Sequence, residues 1–250
     1  MTKKFLTAFG EYFLLMGKSI RRPQKAPVFW KLFMREINDL GVNSFGLVVF
    51  TSIFVGAVVA IQMYNNFSAS SFPIPTNFVG YATKAVLVLE FSPTIISLVL
   101  AGKVGSYIAS SIGTMRVSEQ IDALDIMGVN SANFLILPKI LASVIFNPLL
   151  IALSIVVGIY GGYLAGFVTG NWTSSEYITG IQMYMPPLFY TYAFIKTAVF
   201  AFIIATVPAY FGYHVKGGSL EVGRASTQAV VWTMVFIIIS ELLLTQMILG

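Results

Sequence analysis

Apolar residues run along this chain in long blocks, with little of the one-in-two alternation that marks a half-buried strand. Charge-free stretches cover 41–83, extend from Ile140 up to Glu176, and continue over 177–195, 197–213 and 225–240. A hydrocarbon core about 30 Å thick takes roughly 20 apolar residues of helix to cross. The blocks therefore predict about five transmembrane helices, near Phe45–Tyr64, Phe78–Ile112, Asn133–Thr169, Leu188–Tyr213 and Gln228–Ile248. The fold class they imply is an all-α integral membrane protein. The second block runs for some 35 residues. At about 1.5 Å per residue that exceeds the bilayer core, so it has to kink at Pro93 or project into water. Pro138 and Pro148 are expected to interrupt the third block. Two polar loops, "NNFSASSFPIPTN" and "GNWTSSEYITGIQMYMPP", separate spans, the second with room for an interfacial turn.

Ahead of the first block the pattern changes. Phe5, Phe9, Tyr12, Phe13, Met16 and Ile20 recur at helical spacing, with Lys3, Lys4, Lys18, Arg21 and Arg22 mostly off that stripe. This describes a helix lying in the membrane interface; a soluble helical hairpin is the alternative. Pro23 and Pro27 break it. A second amphipathic stretch follows, with Trp30, Phe33, Met34 and Ile37 on one side and Lys31, Arg35, Glu36 and Asp39 elsewhere. Residues 1–41 are thus expected as N-terminal interfacial helices and 42–250 as the transmembrane domain. Glu11 interrupts the apolar stretch and no small-residue cleavage site follows, so the segment is read as retained rather than as a signal peptide.

Composition agrees with the pattern. The chain is 57% hydrophobic and 10% charged, against roughly a quarter charged in soluble domains. It has no cysteine, which removes disulfides and thiolate metal sites. Eight of its fifteen Lys and Arg fall within the first 35 residues. Beside spanning segments, such a cluster favours an anionic membrane face over nucleic acid. The N-terminal region and the connectors 102–131 and 214–227 together hold twelve Lys and Arg, whereas loops 65–77 and 170–187 hold none. The positive-inside rule then puts the N-terminus and both connectors in the cytoplasm and the C-terminus outside.

Ionisable residues inside spans are costly and have to face protein or a wet cavity. Glu90 lies three residues before Pro93, and Glu241 lies near the end of the fifth span. Each suits either a place on a polar-headgroup path or a hydrogen bond to another helix. Lys84 is not the obvious helical partner of Glu90, because six residues turn the face by about 240°. Lys139 and Lys196 also lie within or at the ends of spans. Gly158, Gly162, Gly166 and Gly170 fall every fourth residue, and Gly102, Ser106, Ser110 and Gly113 make a similar row beside Gly105. Small residues at this spacing read as close helix packing.

No enzyme constellation appears. His214 has no second imidazole for a metal site, and a juxtamembrane headgroup contact suits it better than catalysis. "SLVLAGKVGS" imitates a phosphate loop but has Ser97 where Gly is required and Val104 where Ser or Thr must hold magnesium. If ATP energy is used, a partner hydrolyses it.

"SIGTMRVSEQIDALDIMGVNS" carries three of the chain's ten carboxylates between two apolar blocks. Ser118 is the expected N-cap, Glu119 and Asp122 fall where the helix dipole favours anions, and Gly128 stands where a glycine stops a helix. The expected helix, about 118–128, places Val117, Ile121, Leu124 and Gly128 on one stripe and Glu119, Asp122 and Asp125 on other faces. A helix this short needs something to pack on. A solvated loop helix is one reading; a lever inserted into a partner's groove is the other.

At these residues the sequence resembles the MlaE/YrbE permeases, membrane subunits of ABC transporters that work with MCE-domain proteins. The likeness extends from about Val42 to the C-terminus. Its most specific blocks are "AGKVGSYIASSIGTMRVSEQIDALDIMGV" and "GYHVKGGSLEVGRASTQAVV". Leu89-Glu90-Phe91-Ser92-Pro93 keeps the glutamate and proline of a common family motif but not its arginine and glycine, and Ser111 replaces a common glutamate.

The resemblance implies a multi-pass permease of the bacterial inner membrane, present as a homodimer above two cytoplasmic ATPase subunits and beneath a periplasmic ring of MCE domains. The chain itself would hold no cofactor; ATP and magnesium would bind the partner ATPase. Glu119, Gln120, Asp122, Ala123, Asp125 and Met127 would form the ATPase-coupling helix, with Glu90, Pro93 and Glu241 near a phospholipid path. Sterol or fatty acid is an alternative cargo. A scaffold that moves nothing, or an intramembrane enzyme acting on lipids, would be a different class of protein. The scaffold would need no lipid-sized cavity, and the enzyme would need paired ionisable groups on facing spans.

Overall fold

The computed structural model describes residues 2–20, 26–71 and 74–249. The side chains of Lys3, Lys4 and Phe5, and residues Arg21, Arg22 and Pro23, lie outside the described residues. Within them every regular element is helical. An N-terminal helix α1 (Thr2–Ser19) is followed by α2 (Ala26–Glu36), which leads into α3 (Phe45–Ser68) through a π turn at Ile37–Gly41 and a 3₁₀ turn at Val42–Ser44. The next run is α4 (Phe78–Val86), α5 (Ser92–Leu100) and α6 (Ser106–Val117), joined by π turns at Leu87–Phe91 and Ala101–Gly105. Then come the short α7 (Gln120–Ile126), the long α8 (Ser131–Thr169), α9 (Ser174–Gln182), α10 (Pro187–Tyr213) and α11 (Ser219–Leu249). Five helical runs among the described residues are long and apolar enough to cross a membrane: Pro27–Ser68, Phe78–Val117, Ser131–Thr169, Pro187–Tyr213 and Ser219–Ile248. The protein is an all-α, multi-pass membrane protein.

Several boundaries differ from those the pattern predicts. The second amphipathic stretch runs directly into the first span, because no proline occurs between Pro27 and Pro73 to stop it. Pro138 and Pro148 do not interrupt α8, which is continuous over 39 residues. In apolar surroundings nothing competes for the remaining helical hydrogen bonds, and neighbouring helices satisfy the carbonyls that proline frees. Much of the 214–227 connector is the beginning of α11 rather than a loop. The second polar loop contains α9, whose start is fixed by a capping box: Glu176 N–H donates to Thr173 Oγ1, and Thr173 N–H donates back to Glu176 Oε2. On α1, Leu15, Met16 and Ser19 are buried, whereas Phe9, Phe13 and Ile20 of the expected stripe are exposed. An apolar surface turned outward suits a helix in the interface.

The helices form two compact units. One comprises Met1–Asn43, Leu98–Phe146 and Val199–Ser240. There α1 is tied to the start of α8, where Asn133 Nδ2 donates to the Ser19 carbonyl at 2.7 Å. Lys139 pairs with Glu36 at 2.6 Å and lies 5.2 Å from the centre of the Tyr107 ring. Gly212 backs onto the Ala109 carbonyl, and Gly105 abuts the Pro208 ring.

The other unit comprises Ser44–Ser97, Asn147–Ala198 and Glu241–Gly250. Here α3 and α8 approach backbone to backbone: a Cβ on Gly56 would fall onto the Gly158 carbonyl, and one on Gly161 onto the Ile53 carbonyl. One turn further along, Gly162 makes room for the Tyr177 hydroxyl and Gly166 for the Trp172 indole. Ser52 Oγ donates to Ser154 Oγ at 2.8 Å across the same seam. Where lipid solvates apolar side chains as well as protein does, this close approach of small residues is a main source of helix association.

Candidate functional site

The second unit contains a polar cluster built around one lysine. Lys196 stands alone among the apolar residues of α10 and its side chain is 0% exposed. A charge in that position has to be paired, and the pairing comes from two other spans. Lys196 Nζ lies 2.8 Å from Glu90 Oε2, on the π turn before α5, and 2.5 Å from Glu241 Oε1 on α11. The nearby Tyr192, one turn earlier on α10, accepts from Nζ at 3.0 Å and shares a 2.7 Å hydrogen bond with Thr245. Thr94 Oγ1 donates to the second oxygen of Glu241 at 2.8 Å.

Pro93 explains the fourth partner of Lys196. A proline has no N–H to give the carbonyl four residues earlier, which here is Leu89. Lys196 Nζ donates to that carbonyl at 2.9 Å. The Leu89-Glu90-Phe91-Ser92-Pro93 motif therefore brings Lys196 two acceptors, a carboxylate and a freed backbone oxygen. Exposure within the cluster is graded: 0% for the Lys196 side chain, 17% for Glu241 and 42% for Glu90. Glu90 is the most exposed of the three.

Lys84 takes no part in the cluster. Its ammonium donates to the carbonyls of Ile181 and Met183 at 2.7 and 2.6 Å, covering the C-terminal end of α9, where a helix dipole favours a cation. Near the other end of α9, Thr76 donates to Glu176 Oε1 at 2.5 Å. That bond, ahead of the two from Thr173, holds the Glu176 carboxyl below its ordinary 4.5. Burial pushes the Tyr177 hydroxyl well above its ordinary value.

In the first unit the acidic helix α7 spans seven residues, shorter than the spacing predicts. Ser118 is not its N-cap: its hydroxyl donates back to the Thr114 carbonyl at 2.8 Å, closing α6. Glu119 takes the N-cap position with φ +59°, and its side chain makes no capping bond. The end is as expected. Gly128 has φ +74° and donates to the Asp125 carbonyl, while Val129 donates to that of Leu124, the paired bonds of a Schellman stop.

Ile121 is fully buried, and Arg116 Nη1 holds Asp122 at 2.7 Å. The Ser131 N–H lies 3.4 Å from Asp125 Oδ1. Gln120, Ala123, Ile126 and Met127 turn outward, the last two 86% and 68% exposed. The helix is thus pinned on one face and bare on the other.

Of the glycines in the two rows, Gly158, Gly162 and Gly166 meet neighbouring groups as described, and Gly105 meets Pro208. Gly102 faces open space. His214 is exposed and donates from Nδ1 to the Tyr210 carbonyl at 2.9 Å. Among the described residues no cluster of three or more His, Asp or Glu is placed to hold a metal ion. Sequence reasoning placed Lys196 within or at the end of a span without assigning it a partner, and missed Tyr192, Thr94 and Thr245. A signal for that partner existed: Lys196 has no acidic residue within a helical turn, and Glu90 and Glu241 were the unpaired acids already placed inside spans.

Both regions lie within the part of the chain that resembles known proteins. The family model for permease MlaE matches residues 33–247. A Rickettsia bellii protein named "Probable ABC transporter permease protein" is 36% identical over 98% of this chain and 94% of its own. One from Synechocystis, likewise named as an ABC transporter permease, is 31% identical over 96% of this chain and 87% of its own. The intermembrane phospholipid transport system permease protein MlaE of Haemophilus influenzae is 28% identical over 98% and 94%.

Proposed function

The chain belongs to the MlaE permease family, and we propose that it is the membrane subunit through which an ABC transporter moves phospholipid between the inner membrane and the outer envelope. It works as a homodimer, with two cytoplasmic ATPase subunits bound to α7 and an oligomer of MCE-domain protein on the periplasmic side. ATP and magnesium bind in the ATPase. The N-terminus is cytoplasmic and the C-terminus periplasmic, which accords with the concentration of Lys and Arg in the N-terminal region and the 102–131 and 214–227 connectors.

The observation that carries the cargo assignment is the Lys196 cluster. Moving an amphiphile requires an apolar bundle that also offers a polar foothold, and the cluster supplies one on three spans. Glu90 and Pro93 set it and Glu241 balances it, while the exposed part of Glu90 meets the headgroup. Two copies would meet along α11, which presents Val231, Val235, Ile238 and Leu242 outward at helical spacing. The phospholipid assignment also draws on the name of the Haemophilus influenzae relative.

On the cytoplasmic side α7 is the lever. Ile126 and Met127 supply an apolar contact, with Glu119, Asp122 and Asp125 arranged around it for basic residues of the partner. Its rigid attachment through Ile121 and Arg116 lets displacement pass to α6 and α8. The test is ATP hydrolysis by the complex reconstituted in bilayers. Phospholipid added to the assay should stimulate hydrolysis, and Glu90→Gln should blunt that stimulation without releasing the ATPase. Hydrolysis indifferent to phospholipid would refute the assignment.

A further inference from the structure

The first unit contains an apolar, half-open groove of about 490 Å³, within the size range of small-molecule sites. Its wall comes from α1 (Phe9, Tyr12), α10 (Val207, Tyr210) and α11 (Trp232, Phe236). Two of the polar groups beside it are already engaged. Tyr12 OH donates to Thr206 Oγ1 at 2.8 Å and Tyr210 OH to Glu11 Oε2 at 3.1 Å. The two tyrosine rings meet edge to face, 6.0 Å between centroids, leaving ring surface toward the space. Burial holds the Tyr12 hydroxyl above its ordinary 10.0 in spite of the Thr206 bond.

Water gains little in such a space, since it needs two to four polar partners and the walls offer almost none. An empty space of that size would forfeit the dispersion contacts of every side chain around it. The occupant is therefore apolar. Its source follows from α1, which turns Leu6, Phe9, Phe13 and Leu14 outward and has Lys18 in its last turn. That surface is stable only among acyl chains, with anionic headgroups near its end.

We propose that this groove is a binding site for one acyl chain of a resident bilayer phospholipid, which fastens α1 to α10 and α11. The site is separate from the Lys196 cluster and stands whether or not that cluster carries cargo. It makes the seating of the N-terminal helix dependent on lipid. Delipidation should loosen α1 while leaving Lys139–Glu36, which does not involve α1, in place.

The test is photocrosslinking of the full chain, in its native membrane assembly, with a benzophenone amino acid at position 236 and, for comparison, at Phe50, an exposed position on α3. Mass spectrometry should find a phospholipid adduct at 236 several-fold stronger than at 50. Val207→Phe, which fills the groove, should reduce the adduct at 236 at least tenfold and leave that at 50 unchanged. Tyr12→Phe, which removes the Thr206 bond without changing the volume, should retain most of it. Equal adducts at the two positions, both insensitive to Val207→Phe, would mean bulk lipid only and overturn the proposal. Adducts at 236 to a second copy of the chain or to a partner protein would overturn it as well. If Val207→Phe misassembles, Ala8→Phe fills the same space from α1 and is read in the same way.

Discussion

Lys196 offers three N–H bonds to four oxygens, those of Leu89, Glu90, Tyr192 and Glu241. A buried ion cluster of this kind is weak evidence for stability when intact, but removing one partner strands the others. Lys196→Met should therefore destabilise the protein by about 3–5 kcal/mol, read as a lower melting temperature in detergent. Adding Glu90→Gln and Glu241→Gln to it should recover much of that loss. Recovery is the informative half, since a lysine acting through its aliphatic stem alone would not give it. Glu176 provides a pH test outside the spans. Its carboxyl is held below 4.5 in the folded chain, so its stabilising contribution is complete above that value and is lost as pH falls through the lower, folded one. Hydrogen exchange at the start of α9 should be insensitive to pH-driven opening between about 5 and 8. Opening should grow only in acid below the ordinary carboxylate range, and Glu176→Gln should remove that dependence. At this scale the sequence was partly legible. The lone charges inside apolar helices marked Glu90, Glu241 and Lys196 as requiring partners, but one-dimensional spacing does not say which spans touch. The role of Thr94 and Thr245 was invisible, because a threonine in an apolar helix ordinarily bonds its own preceding turn.

Helix seams and short helices follow from where side chains are missing. A Cβ at Gly56 would enter the Gly158 carbonyl, so Gly56→Ala should cost roughly 1–3 kcal/mol through overpacking. Gly102→Ala meets open space and should stabilise by up to about 1 kcal/mol through helix propensity. Thermal unfolding of the pair separates a packing glycine from a merely permitted one. On α7, Glu119 at φ +59° carries the left-handed penalty of about 1–2 kcal/mol that glycine escapes. Glu119→Gly should firm the turn and Glu119→Ala should not, yet both remove the carboxylate. If the carboxylate contacts the ATPase, the two variants weaken co-purification equally. Combined charge reversal at Glu119 and Asp122 should weaken it at least about tenfold, or ~1.4 kcal/mol. Membrane insertion should stay normal, and retained association would count against the docking role. The stop of α7 was readable from Gly128, whereas its start was not: Ser118 has the preferred capping side chain, but α6 captures its hydroxyl. Likewise Pro138 and Pro148 signal breaks by soluble-protein rules that apolar surroundings relax.

Across the whole molecule, five apolar runs and the family match establish a multi-pass ABC permease. In the proposed function the polar cluster is the place for a headgroup and the exposed face of α7 the place for a motor. A scaffold would have use for the second only. The number of spans was legible because apolar length is the dominant signal in membrane chains. Their ends were not, because amphipathic stretches such as 27–41 and 219–227 continue the same helices past the apolar run. The central claim is tested most directly by phospholipid transfer. Vesicles containing the chain with its ATPase and MCE partners are loaded with isotope-labelled phospholipid and mixed with acceptor membranes, with and without ATP. The account predicts nucleotide-dependent movement of label that falls at least about tenfold with Glu90→Gln while ATPase association is unchanged. Movement equal with and without ATP, or unaffected by Glu90→Gln, would contradict it.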